Sequence, residues 1–402
     1  MTQQAEPAVL PQLRASPGRP FGIYVHVPFC ATRCGYCDFN TYTPAELLSP
    51  PSLRSPQSGA NPDGWLAALR LELAQAGARL GDCAPIVSTV FVGGGTPSLL
   101  GGDGFASVLE AIRTHFTVAE DAEVTTEANP ESTSPRLFAE LRAAGYTRIS
   151  LGMQSVAPHV LAALDRVHSP GRPLAAAAEA RAEGFAHVNL DLIYGTPGET
   201  DDDLCRSVDS AIEAGVDHVS AYALVVEDGT ALARRVRRGE LAAPDNDVLA
   251  RRYELLDARL SQAGLQWYEV SNWSRPGGEC RHNLGYWNGG EWWGAGPGAH
   301  GFLADTRWWN LKHPNAYAQA LAAGRLPIGD FEVLDDAARH TEDVMLRLRL
   351  RDGLPLATLG PAEALRADVA VADGLVDRRA DKLVLTKRGR LLADAVVREL
   401  LD

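Results

Sequence analysis

The chain of 402 residues has no apolar run near the roughly 18 residues that a membrane-spanning helix needs. Its first twenty residues, rich in Pro, Gln and Ala, carry no signal-peptide core. Basic charge is scarce: 38 Lys and Arg stand against 51 Asp and Glu, for a net charge of −13. That argues against broad, phosphate-driven binding of nucleic acid. No Gly-Lys-Ser or Gly-Lys-Thr follows a glycine-rich turn, so a Walker-type cradle for a triphosphate is absent. Six cysteines are few, and Cys83, Cys205 and Cys280 are scattered. No disulfide framework can be read from them, and the expected compartment is reducing and cytoplasmic. At 46% hydrophobic and 22% charged the composition is that of an ordinary globular chain.

Against this sparse background, Cys30, Cys34 and Cys37 share one short loop. Thiolates are soft ligands that suit zinc and iron-sulfur clusters. Structural zinc wants four ligands in two close pairs, and no second Cys or His pair follows at that distance. Three thiolates on one loop instead leave one iron of a cluster open to chelate a small ligand. A structural zinc site or unligated buried thiols are the bland alternatives.

The loop follows an alternating, β-branched run from Ile23 to Val27, which predicts a strand. Further strands are predicted at Val87–Val92, Glu123–Glu127, Arg148–Leu151, His187–Leu192 and His218–Leu224, separated by helical patterns. Six strands alternating with helices predict a parallel α/β sheet with right-handed crossovers, either open or closed into a barrel. Reactive groups in such sheets collect at the carboxyl ends of strands. Here those positions hold the cysteine loop, Gly93 to Gly95, Glu127, Gln154 and Asp191. Singly, each acid or amide has the bland reading of a strand-end cap, and a glycine turn alone is a weak signal.

Beyond Leu224 the rhythm changes. Residues 280–301 are dense in Trp, Gly and His, read either as aromatic packing over the barrel mouth or as a pocket for a flat ligand. From about Phe302 the tail is expected to be helical, with a two-stranded wing over Gly374–Thr386. Arg347, Arg349 and Arg351 are expected to mark a solvated face. Four divisions follow: a flexible lead at 1–19, a barrel at 20–225, an extension at 226–302 and a winged-helix-like domain at 303–402.

The cysteine loop, Gly93-Gly94-Gly95-Thr96-Pro97 and Glu127-Ala128-Asn129-Pro130, in that order, resemble the HemN-like branch of the radical S-adenosylmethionine (SAM) proteins, and within it the HemW-like haem chaperones. The resemblance spans nearly the whole chain. It implies a partial (β/α)6 barrel with a C-terminal α+β, winged-helix-like domain. It implies a [4Fe-4S] cluster on Cys30, Cys34 and Cys37, and a SAM at the open iron contacted by Tyr24, Gly94 and Glu127. Tyr36, Gly95, Thr96, Gln154, Arg166 and Asp191 match positions that contact a second SAM in HemN-like enzymes. Phe39 stands where the coproporphyrinogen III oxidases of this branch have a further cysteine, and the lead before the loop is short for their N-terminal extension. Both departures favour the chaperones over an oxidase that decarboxylates coproporphyrinogen III. His282-Asn283-Leu284-Gly285-Tyr286-Trp287 fits the H-N-x-x-Y-W signature associated with haem binding in those relatives. That makes His282, Asn283, Tyr286 and Trp287 haem candidates, with His282 as the foremost contact and Cys280 a second possible axial ligand. His26 and His300 are expected on the cluster and SAM side. Haem, respiratory haem proteins that accept it, and a homodimer are the partners the resemblance implies; nucleic acid and an integral membrane segment are not expected.

Overall fold

The computed structural model describes residues 13–47 and 59–402. The expected lead at 1–19 falls in part outside them. Twelve strands form one sheet: β1 (Phe21–Val27), β2 (Val87–Gly94), β3 (Val118–Ala128), β4 (Arg148–Gln154), β5 (His187–Tyr194), β6 (His218–Ala223), β7 (Gln266–Glu269), β8 (Asn272–Ser274), β9 (Glu291–Ala295), β10 (His300–Leu303), β11 (Thr306–Asn310) and β12 (Ile328–Val333). Their spatial order is β12-β11-β10-β9-β1-β2-β3-β4-β5-β6-β8-β7. β1 to β6 lie in sequence order and pair in parallel, which is the partial (β/α)6 barrel. β9 joins β1 in parallel, and β8 closes against β6 antiparallel.

Period-two patterning builds the barrel's two faces. Val124, Ile149, Leu151, Leu190, Leu192 and Val219 point outward into the main apolar core. The alternate positions are polar: Thr125 and Glu127 on β3, Arg148 and Ser150 on β4, Asn189 and Asp191 on β5, and His218, Ser220 and Tyr222 on β6 all line the lumen. The covering helices carry their own start and stop signals. Pro135–Ala144 begins with Ser134 accepting the Leu137 N–H at 3.2 Å and ends at Gly145, whose φ is 109°. Asp201–Glu213 opens on a reciprocal capping box between Thr200 and Asp203.

The C-terminal unit begins later than the expected 303. β10, β11 and β12 continue the main sheet, and a separate small core gathers Val344, Leu354, Ala367, Val376, Leu383 and Val396. Its wing has three strands, β13 (Leu354–Pro355), β14 (Val376–Arg379) and β15 (Lys382–Leu385), in the order β13-β15-β14. The short β10–β11 hairpin is hidden in sequence by its glycine and tryptophan content, which reads as turn and packing rather than as alternation.

The arginine series is not a solvated face. Arg347 donates to the Asn288 carbonyl at 3.1 Å, Arg349 pairs with Asp394, and Arg351 reaches Glu279 at 3.0 Å. Two of the three thus tie the tail to the barrel. Their partners lie 59 and 72 residues away, beyond any helical spacing.

Candidate functional site at the barrel mouth

The cysteine loop leaves β1 at the carboxyl end of the barrel and is fixed by backbone bonds. The Cys30 N–H donates to the Tyr42 carbonyl at 3.0 Å, and the Gly35 N–H to the Leu164 carbonyl at 3.0 Å. At Gly35 a Cβ would lie 2.3 Å from an Asp165 carboxylate oxygen, so a larger residue would have to push that half-exposed side chain aside. Asn40 clamps the loop's end, donating to the carbonyls of Pro297 at 2.9 Å and Lys312 at 2.8 Å. Cys30 is buried, while Cys34 and Cys37 are half-buried.

All three thiols line a cavity of about 390 Å³ with Tyr36, Gly94, Gly95, Thr96, Glu127, Arg166 and Asp191. Arg166 donates to the Cys34 sulfur at 3.2 Å and Thr96 to the Cys30 sulfur at 3.6 Å. Glu127 accepts the Gly94 N–H at 2.9 Å, and Gly94 holds a φ of 111° directly against the His26 ring. Burial and the nearby Asp191 push the Glu127 carboxyl up to about 7. Asp191 is raised as well, by burial, although Ser150 and Asn189 donate to it at 3.0 and 2.7 Å. Gln154 is a non-glycine residue at φ 62°, a sparsely populated backbone state that clusters at functional sites. Its side chain meets His168 at 3.1 Å and does not line this cavity; it lies on the lumen side. Tyr24 and His26 bond each other at 2.9 Å and share an adjoining cavity with Gly94, Glu127 and His300. The mouth therefore gathers soft donors, two buried carboxyls whose pKa values are raised, and backbone open to a close-lying ligand.

A model of the Radical SAM superfamily matches residues 24–211, and one of the HemN C-terminal domain matches residues 334–392. Over 401 residues and the whole of both chains, this protein is 70% identical to one named Heme chaperone HemW from Mycobacterium tuberculosis. It belongs to the HemW family of radical SAM proteins. A HemW from Escherichia coli is 33% identical, covering 94% of this chain and 97% of its own. The solved coproporphyrinogen III oxidase HemN of E. coli superposes with a TM-score of 0.79, covering 96% of this chain and 91% of that one. At 23% identity that likeness shows the shared fold.

Membership in the radical SAM family implies SAM and a [4Fe-4S] cluster, and the mouth of the barrel fits them. Among the described residues no three His, Cys, Asp or Glu side chains are drawn together to hold a single metal ion. The three thiols line one roomy cavity instead, as a polynuclear group requires. The buried Thr41 hydroxyl sits beside Cys30 and Cys37 and favours their ionised forms. Protein burial alone raises both thiols, so a bound cationic group is what would hold them as thiolates.

The H-N-x-x-Y-W segment lies elsewhere than expected. It forms the helix Arg281–Trp287 at the amino-terminal end of the lumen, against the starts of β1 and β2, and not over the mouth. The His282 ring is buried, with Nδ1 on Thr89 at 2.8 Å, Nε2 on Tyr286 at 2.7 Å, and its face on Phe91 at 5.3 Å. Both nitrogens are engaged, and burial pushes its pKa down to about 4. Cys280 donates to Glu123 at 3.3 Å. Asn283 faces the lumen and Trp287 reaches the buried Glu269.

Sequence reasoning passed over Glu123. Its carboxylate accepts the N–H groups of Arg281 and His282 at 3.0 Å each and pairs with Arg148 at 3.1 Å. Burial would raise its pKa, yet Arg148 and these donors hold it below the ordinary range. The available signal was its spacing of four from Glu127 on a strand, which puts both acids on the lumen face.

Proposed function

We propose that the chain is a haem chaperone that carries a SAM-binding [4Fe-4S] cluster and passes haem to respiratory haem proteins in the cytoplasm. The observation that carries this reading is the end-to-end identity of 70% to a protein bearing that name, with the cluster loop and the H-N-x-x-Y-W helix both present. Cys30, Cys34 and Cys37 would hold the cluster. Tyr24, Gly94 and Glu127 would hold SAM, the Glu127 carboxyl suiting ribose hydroxyls. Tyr36, Gly95, Thr96, Arg166 and Asp191 extend that pocket, and Gln154 lies beside it on the lumen side. The group would supply one-electron reduction, while the chain binds, orients and keeps water out.

Decarboxylation of coproporphyrinogen III is the rival activity, and Phe39, exposed on the rim of the mouth, argues against it. Anaerobic titration of the cluster-loaded protein with haem, followed by optical spectroscopy, tests the reading. Saturable one-to-one binding is expected, with no protoporphyrinogen IX formed from coproporphyrinogen III under reducing conditions. Turnover of the porphyrinogen without saturable haem binding would reverse the assignment.

A further inference from the structure

With both nitrogens of His282 committed, haem needs another place to sit. Residues 13–21, residues 79–89 and the outer face of the helix Arg281–Trp287 enclose a groove of about 1190 Å³. One side is apolar, with Leu80, Leu284 and the 62% exposed Ile86. Arg19, Arg79 and Arg281 line it too, and among the described residues no carboxylate does. In a chain of net charge −13 that is a local reversal of sign. Among the described residues Arg79 makes no ion pair, and Arg19 bonds only the Gly289 carbonyl, at 3.4 Å. Arg281 donates to the Asp121 carbonyl at 2.6 Å and faces the Asp121 carboxylate across 3.6 Å in an exposed pair, which solvent screens. Gly285, in the wall, has open space where a Cβ would be, and its φ is not left-handed. The fold therefore does not demand glycine there; a flat ligand lying on the backbone would.

An apolar wall beside guanidinium groups that no buried carboxylate neutralises fits a flat, apolar ring bearing carboxylates. We propose that this groove binds haem, with its propionates on Arg79 and Arg281 and its ring against Ile86, Leu284 and Gly285. The inference rests on the haem-chaperone reading and gives it a location. The motif helix then has two duties: His282 and Asn283 face inward to hold the barrel, and Leu284 and Gly285 face outward to the ligand.

Cys83 is exposed and lines the same groove, so its alkylation reports occupancy without any substitution. The full-length, cluster-loaded protein is treated with iodoacetamide with and without haem, under anoxic conditions, and Cys83 is followed by peptide mass spectrometry. Haem is expected to slow its alkylation about tenfold. The Arg79→Glu, Arg281→Glu double variant and Gly285→Leu should each weaken haem binding about tenfold, with iron and sulfide content unchanged. Saturable haem binding with Cys83 still fully reactive, or with both variants binding like wild type, overturns the groove and leaves the chaperone reading standing. Cys83 already shielded before haem is added means that another part of the chain fills the groove, which also overturns it. No saturable binding by wild type defeats the chaperone reading itself.

Discussion

At the scale of a single residue, Glu72 links one helix to the far edge of the sheet. Wholly buried in the helix Pro62–Leu80, its carboxylate accepts from Tyr317 at 2.6 Å, the Gly296 N–H at 2.8 Å, Asn310 at 2.8 Å and Trp293 at 3.4 Å. Burial pushes the carboxyl up to about 7 from an ordinary value of 4.5, with these four bonds pulling the other way. The folded chain thus holds the proton more tightly than the unfolded chain does. The stability this contributes is complete below pH 4.5 and is lost as pH rises through about 7. Urea unfolding at a series of pH values should show wild type losing up to about 3 kcal/mol relative to Glu72→Gln between pH 5 and 8. Parallel curves for the two proteins would mean that Glu72 does not titrate in this window. Gln itself leaves donors unmatched and shifts the whole curve, but that offset does not vary with pH.

At the scale of an element, the motif helix is only seven residues long, too short to persist by propensity. It is held by its end. Glu123 caps its first N–H groups, and Arg148, 2% exposed, neutralises Glu123. Removing the carboxylate in Glu123→Ala strips the cap and leaves a buried guanidinium unpaired, a loss of about 3–5 kcal/mol. Amide exchange over residues 281–287 should rise sharply and the thermal midpoint should fall; intact protection in that helix would contradict the cap. The same element shows what sequence can disclose. The six strands, and the placing of the cysteine loop, Gly94, Gly95, Glu127 and Asp191 at their carboxyl ends, were legible because period two and strand-end position are local signals. Glu123 was not, because its partners Arg148 and His282 stand 25 and 159 residues away and meet it only once the barrel forms. The role of His282 was obscured for the same reason: its motif gives the residue type, while Thr89 on another strand decides what its ring nitrogens do. β10 to β12 escaped notice because Trp308 and Gly301 pack face to ring, so a strand reads as a glycine-tryptophan loop.

At the scale of the whole molecule, the C-terminal unit has its own core and meets the barrel through several charged contacts, of which the Arg390–Asp257 pair is the most buried. Arg390 forks onto Asp257 with two bonds of 3.0 Å, both side chains nearly buried, and its guanidinium stacks 4.6 Å from the Trp267 ring. Burial would raise Asp257, but Arg390, Trp273 and Lys387 hold its carboxyl below the ordinary range. A planar fork and a stacking face are properties that Lys lacks, so Arg390→Lys keeps the charge and loses the joint. Arg390→Ala goes further, leaving Asp257 with Lys387 at 3.3 Å, and should cost about 3–5 kcal/mol. Because the two cores are separate, that loss falls on the mooring and not on either interior. Calorimetry of Arg390→Ala should therefore resolve two transitions where wild type shows one, and limited proteolysis should cut near residue 334, where β12 hands over to the tail. A single transition at an unshifted midpoint would show that the other contacts, Arg347 with Asn288 and Arg351 with Glu279, suffice to hold the tail on the barrel.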